Sequence, residues 1–229
     1  MKSILLVLAG ALLITSCSKE NSDSPSTVDL GYNYFPTDSG MIRYYSADST
    51  YWDANNNGQQ GNVSFQIKEV ISGTFYDAQN RLTQRIERYR KDQNGNWIIW
   101  KVLSDNRTST TGERTVDNVR YIKLIFPTKA GSTWNGNSFN TNDDQEYQIT
   151  DENVSDIVNG NTYDKTLVVL QNDYLDAIHQ EYATEKYADG VGMIYHRNKN
   201  INTLPTTSGF IITGGYDYTE TLISYTKTP

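Results

Sequence analysis

Two histidines, His179 and His196, and a lone cysteine, Cys17, are the chain's whole stock of imidazole and thiol. A zinc centre would have to combine both histidines with a carboxylate such as Glu181, beside His179 on one strand face, and the tight ligand spacing of zinc sites is missing. Glycoside hydrolysis needs two carboxyl groups about 5 to 10 Å apart. The candidates are Glu146, Asp151, Glu181 and Glu185, but Glu181 and Glu185, four residues apart on one strand, would stand about 13 Å apart. Ser155 and Ser208 read as loop residues with no activating base in view, and neither the GxSxG elbow nor the GxxxxGKS phosphate loop occurs. Asp53-Ala54-Asn55-Asn56-Asn57-Gly58 matches the front half of a calcium-binding loop, with Asp53, Asn55 and Asn57 as candidate ligands. Ser64 stands where the closing Glu belongs, and the same residues suit a polar hairpin loop. No cofactor is expected, and the chain reads as a non-enzyme.

Large aromatic side chains are the other candidates for recognition. The chain holds 17 Tyr, 6 Phe and 4 Trp, and Tyr and Trp join an apolar face to a polar tip. Trp52, Trp134 and Tyr216 are the ligand-binding candidates, toward a glycan or a protein, with core packing as their alternative role. The basic group Arg81, Arg85, Arg88, Arg90 and Lys91 is interrupted by Glu87, and strand alternation turns Arg88 and Arg90 away from Arg81 and Arg85. It reads as strand-surface charge. A formal net charge of -7 leaves no large basic patch, so nucleic acid is not an expected partner.

The elements that must carry these residues are strands. Short β-branched and aromatic runs recur between Asn, Asp and Gly clusters, and no window shows sustained helical spacing. Strands are predicted near Met41 to Trp52, Val63 to Ile71, Arg81 to Arg90, Trp97 to Leu103, Thr108 to Val116 and Val119 to Phe126. Five more follow near Glu146 to Ile149, Thr162 to Gln171, Ile178 to Tyr187, Gly192 to Arg197 and Phe210 to Thr226. Asn94-Gly95, Asn159-Gly160 and Asp189-Gly190 are hairpin turns. Trp97-Ile98-Ile99-Trp100 and Leu167-Val168-Val169-Leu170 are apolar on both faces, which predicts central, covered strands. Gly214-Gly215 marks a bulge or bend. The expected fold is all-β: one antiparallel, strongly curved sheet forming a barrel-like or two-layer sandwich domain.

The start of the chain has a different character. Lys2, an apolar run from Ile4 to Ile14 broken by Gly10, and small residues before Cys17 form a signal-peptide layout, too short for a membrane span. Ile14-Thr15-Ser16-Cys17 resembles the lipobox of bacterial lipoproteins, which implies that Cys17 is lipidated and becomes the first residue of the mature protein. Cleavage there leaves 19 Lys and Arg against 27 Asp and Glu, a net charge of -8. An unpaired thiol in an oxidising compartment would be a liability that a thioether removes. The division is 1–16 signal peptide, 17–28 lipidated Cys and flexible tether, and 29–229 a single β domain.

Three islands extend the likeness. Tyr34-Phe35-Pro36 with Gly40 and Tyr45, Phe126-Pro127 through Gly131, Trp134 and Gly136, and Tyr187-Ala188-Asp189-Gly190-Val191-Gly192 resemble lipoproteins of Bacteroidota whose function is uncharacterised. Arg43 departs from that pattern, standing where such proteins often have Trp. The resemblance implies a cell-envelope protein anchored to the outer membrane by its N-terminal lipid, with the periplasmic and surface faces both open. The function expected is a non-catalytic binding or assembly module. The alternatives are a lipid or lipoprotein carrier with an apolar cavity, and a glycan- or cell-wall-acting enzyme.

Overall fold

Strands that alternate apolar and polar side chains have one face to bury. In the computed structural model, which describes residues 28–227, one antiparallel sheet buries that face by curling into a nearly closed barrel. Cys17, the signal segment and most of the tether lie outside the described residues. The strands are β1 (Ile42–Asp53), β2 (Gln59–Tyr76), β3 (Leu82–Lys91), β4 (Trp97–Arg107), β5 (Thr111–Val116), β6 (Val119–Ile125), β7 (Thr133–Asn135), β8 (Glu146–Val158), β9 (Asn161–Leu175), β10 (His179–Ala188), β11 (Gly192–Thr206) and β12 (Gly209–Thr226). Apart from β6 and β7, neighbours in sequence are neighbours in the sheet, and β1 also pairs with β12. The chain therefore winds round the barrel as an up-and-down meander whose seam falls between β6 and β7.

Side-chain and isolated backbone bonds hold that seam in place of a ladder. The Ile122 N–H donates to the Gly136 carbonyl at 2.9 Å, Trp134 Nε1 donates to the Ile122 carbonyl at 2.9 Å, and Asn140 Nδ2 donates to the Arg120 carbonyl at 2.8 Å. The strands beside the seam are also short, at six, seven and three residues for β5, β6 and β7. Consequently β5 pairs only with Ser104 to Arg107 of β4, and β8 meets β9 no further along than Leu170. The remaining strands rise past this low wall, giving the barrel a slanted open end bounded by residues 97–103 of β4 and 172–175 of β9.

The opposite end is closed. A 3₁₀ turn at Tyr32–Tyr34 and the following Phe35 insert into it, leaving Tyr34 2% and Phe35 5% exposed in a cluster with Leu124, Phe126, Ile149 and Tyr187. Backbone bonds fix the insert to two connections at that end: Thr128 N–H donates to Leu30 O at 3.2 Å, and Gly190 N–H donates to Asn33 O at 2.9 Å. Arg107 Nη1 adds bonds to the Tyr32 and Phe35 carbonyls at 3.1 and 3.0 Å. The insert is thus held by polar groups at its rim and by aromatic packing beneath.

Every strand predicted from the sequence is present, several of them longer than the patterns suggested, and the single sheet resolves barrel against sandwich in favour of the barrel. The three predicted Gly turns occur, and Asp117-Asn118 forms a fourth in which both residues take positive φ, at 49° and 66°. The expected irregularity at Gly214-Gly215 is a register shift between β11 and β12 next to Gly214. Gly215 is required there, because a Cβ would lie 2.2 Å from the Asn200 carbonyl oxygen.

Three expectations are corrected. Trp97 to Trp100 is not a covered central segment: Ile98 and Ile99 are each 54% exposed and Trp100 40%, because β5 is too short to flank them. Ser155 lies within β8 and not in a loop. Thr133–Asn135, where no strand was expected, is a strand, although a short one.

Candidate functional site

Alternation along the inward faces places charged side chains in the middle of the barrel. Arg43 lies two residues from Met41 and Tyr45, Glu69 between Ile67 and Ile71, and Glu220 two residues from Leu222, all buried. Each is therefore turned inward with its apolar neighbours. Glu69 is the hub. Arg43 Nη1 approaches its carboxylate at 2.7 Å, Arg88 Nε at 3.3 Å and Arg114 Nη1 at 3.4 Å. Arg43 Nε also donates to the Val191 carbonyl at 2.7 Å. Arg114 forms a two-pronged pair with Asp105 at 2.8 and 2.7 Å, and Arg88 Nη2 donates to Glu220. Lys123 Nζ meets Glu185 at 2.5 Å.

Across β10, β11 and β12 the register is Glu185, His196 and Glu220 in one row. The flanking carboxylates are held alike, Glu185 by Lys123 and the Tyr187 hydroxyl, Glu220 by Arg88 and the Tyr218 hydroxyl at 2.6 Å. Four cations and four carboxylates thus form a charge-balanced floor: Arg43, Arg88, Arg114 and Lys123 against Glu69, Asp105, Glu185 and Glu220.

The ionisation states follow from that pairing. Burial works to raise the Glu69 carboxyl, but Arg114, Arg88 and Arg43 overcome it and bring its pKa down to about 2. Burial is likewise outweighed at Glu185, chiefly by Lys123, and at Glu220, chiefly by Arg88, so both carboxyls titrate below the usual range. His196 moves down because burial disfavours the imidazolium more than Glu185 and Glu220 favour it. At neutral pH the row is carboxylate, neutral imidazole, carboxylate.

On the closed side, the space between the floor and the Tyr34–Phe35 insert amounts to about 20 Å³, too little for any ligand larger than water. On the open side, a cavity of about 240 Å³ lies between the floor and the mouth, with Trp100, Lys101, Val116 and Tyr218 among its walls. Trp100 is the extra residue in β4 where the β3–β4 register shifts between Arg88 and Tyr89. Bulges of this kind re-aim a side chain, and here the indole joins the cavity wall, edge-on to Phe65 at 5.9 Å and 5.8 Å from the Arg88 guanidinium.

The residues singled out from sequence are scattered. Tyr216 is 40% exposed and shares the inward face of β12 with Tyr218, above the cavity. Trp52 pairs with Gly215, one register step from Tyr216, so it emerges on the outer face. Trp134 is half-buried and ties the seam, with its ring edge-on to Tyr147 at 5.8 Å. The three do not form one surface. In the Asp53 loop the carboxylate accepts the Asn55 N–H at 2.9 Å and Asn57 takes positive φ, which is the bonding of a hairpin turn. Among the described residues no group of three or more His, Cys, Asp or Glu side chains is placed to hold a metal.

His179 lies opposite Asn202 and His196 opposite Glu185, six residues and roughly 20 Å along the strands. Glu146 and Asp151 are exposed, and Glu181 is engaged by Asn172 and Asn200 at 2.7 and 3.2 Å. Of the four candidate carboxylates only Glu185 enters the floor. The basic group is corrected as well: Arg85 is on the surface, but Arg88 is buried within the floor.

No protein-family model matches the chain, and no curated protein matches it. Two solved structures are similar in outline. One is a Bacteroides fragilis protein inferred to be exported, with a YmcC-like fold, at 11% identity and a TM-score of 0.43. The other, inferred to be a lipoprotein of Parabacteroides distasonis, has 10% identity and a TM-score of 0.35. Each likeness covers 84% of this chain and 98% of the other. Both scores are too low to bear on the role of any residue in the floor.

Proposed function

We propose that the protein is a lipid-tethered, non-catalytic binding module of the cell envelope, and that its ligand enters the barrel through the slanted mouth. The observation that carries this reading is the one-sided lumen: packed shut by Tyr34 and Phe35 at one end, and opening at the other onto a cavity of about 240 Å³ over a charge-paired floor. Val28, where the described chain begins, is at the closed end, beside the Leu30 carbonyl that accepts the Thr128 N–H, so the domain is joined to its tether at the end opposite the mouth. A module held in this way presents its opening to the surrounding compartment.

The alternatives fit the geometry less well. An acyl carrier needs a continuous apolar cavity, and here charged side chains cross the lumen at mid-height. A glycosidase needs one carboxyl kept protonated near neutral pH, whereas Glu185 and Glu220 are both held low. Among the described residues no Ser, Thr or Cys lines the cavity as a nucleophile for His196.

Two experiments test the proposal. Thermal-shift screening of the soluble domain against neutral and acidic sugars, amino acids and nucleosides should find at least one compound that raises the Tm, and Val116→Trp, which fills the cavity, should abolish the shift. Shifts that survive the filling would place binding elsewhere and overturn the lumenal reading. For the anchor, Cys17→Ala should release the protein from membranes. A variant that still sediments with membranes would refute the lipid tether.

A further inference from the structure

We infer that the lumenal cavity is built for a small, single-ring molecule bearing a carboxylate or a phosphate. This rests on the lumenal reading above and deepens it by naming the ligand chemistry. The first support is the hydrogen-bond inventory of the walls. Arg88, Lys101, Arg114 and Lys123 face Glu185 and Glu220, and both oxygens of each carboxylate already accept a bond, from Lys123 and Tyr187 in one case and from Arg88 and Tyr218 in the other. Donors are left over. The Arg88 guanidinium is shared between Glu69 and Glu220, but Lys123 Nζ, which carries three N–H groups, pairs with a single carboxylate, Glu185. Lys101, whose partner Asp117 is itself 71% exposed, adds a cation at the rim. A cavity whose carboxylates are already engaged and whose ammonium groups keep N–H donors to spare favours a ligand rich in acceptors, and ionised acceptors bind such donors most strongly.

The second support is Trp100. The bulge takes this indole out of the regular strand pattern and leaves it 40% exposed on the cavity wall, with Lys101 Nζ 5.6 Å and the Arg88 guanidinium 5.8 Å from its ring. A flat apolar face next to cationic donors suits a ring that stacks on the indole while its acidic group reaches the cations. Size sets the remaining limit. A volume of about 240 Å³ lies just below the range of roughly 300 to 1,000 Å³ typical of drug-sized ligands, enough for one ring and too little for a chain of them.

Isothermal titration with D-glucuronate, glucose 6-phosphate, benzoate and neutral D-glucose tests the inference and separates the two acid sources. At least one acid should bind at least tenfold more tightly than glucose, weaken as salt is raised, and quench tryptophan fluorescence. Trp100→Ala and Lys101→Ala, at positions outside the buried floor, should each weaken that acid at least fivefold with little change in Tm. Equal or tighter binding of neutral glucose would overturn the acid preference while leaving the lumenal reading intact. Acid binding unaffected by either substitution, or no binding of any acid, would overturn the inference. If the Val116→Trp variant also leaves every screened shift in place, the lumenal reading itself falls.

Discussion

Replacing Glu69 with Gln should destabilise the protein by about 3 to 5 kcal/mol, the usual cost of removing one partner from a buried ion cluster. Glu69 is 1% exposed and faces Arg43, Arg88 and Arg114 together. The amide keeps the shape but not the charge, so three guanidiniums stay buried with one compensating anion fewer. Against a typical total stability of 5 to 15 kcal/mol, the midpoint of urea unfolding should fall steeply. The effect should also depend on pH. Glu69 has a pKa of about 2 in the folded protein against an ordinary value of 4.5, so its contribution is complete above about pH 4.5 and disappears as pH falls through about 2. That depression corresponds to something on the order of 3 kcal/mol. Unfolding curves of the two proteins should therefore lie far apart at pH 7 and converge toward pH 2. A gap below 1 kcal/mol at pH 7, or one that does not narrow in acid, would show that Glu69 is not the hub.

The positions of these charges were present in the alternation of the strands, but composition obscured them. Glu69 between Ile67 and Ile71, and Arg43 between Met41 and Tyr45, occupy inward registers of patterns that otherwise read cleanly. Density of acidic residues favours a solvated surface as the general expectation, and that expectation is wrong for Glu69, Glu185 and Glu220. The partners of each charge come from strands distant in sequence, Arg88 with Glu220 being 132 residues apart, so pairing could be seen only once the sheet had closed. Turns and strands were legible because each depends on a few adjacent residues. Exposure of Ile98, Ile99 and Trp100 was not, because it depends on how far β5 reaches. The three-residue β7 carries too little alternation to announce itself. Its Trp134 drew notice as a large aromatic but could not be assigned to the seam without its Ile122 partner.

The closed end provides the other large effect. Phe35→Ala should cost about 3 to 5 kcal/mol, as truncation of a buried phenylalanine generally does. The side chain is 5% exposed among Tyr34, Leu124, Phe126 and Ile149. Directly beneath it lies Gly112, where a Cβ would come within 3.0 to 3.4 Å of three Phe35 ring atoms. Gly112 is not among the positive-φ residues, so what restricts this position is the tight contact with Phe35 and not backbone conformation. Gly112→Val alone should therefore destabilise by about 1 to 3 kcal/mol through overpacking. Combined with Phe35→Ala, the valine methyls enter the vacated volume, and the double variant should lose less than the two single losses together, by at least 1 kcal/mol in a double-mutant cycle. Strict additivity would mean that Phe35 and Gly112 do not share that space, and the account of how the insert seals the barrel would have to be abandoned.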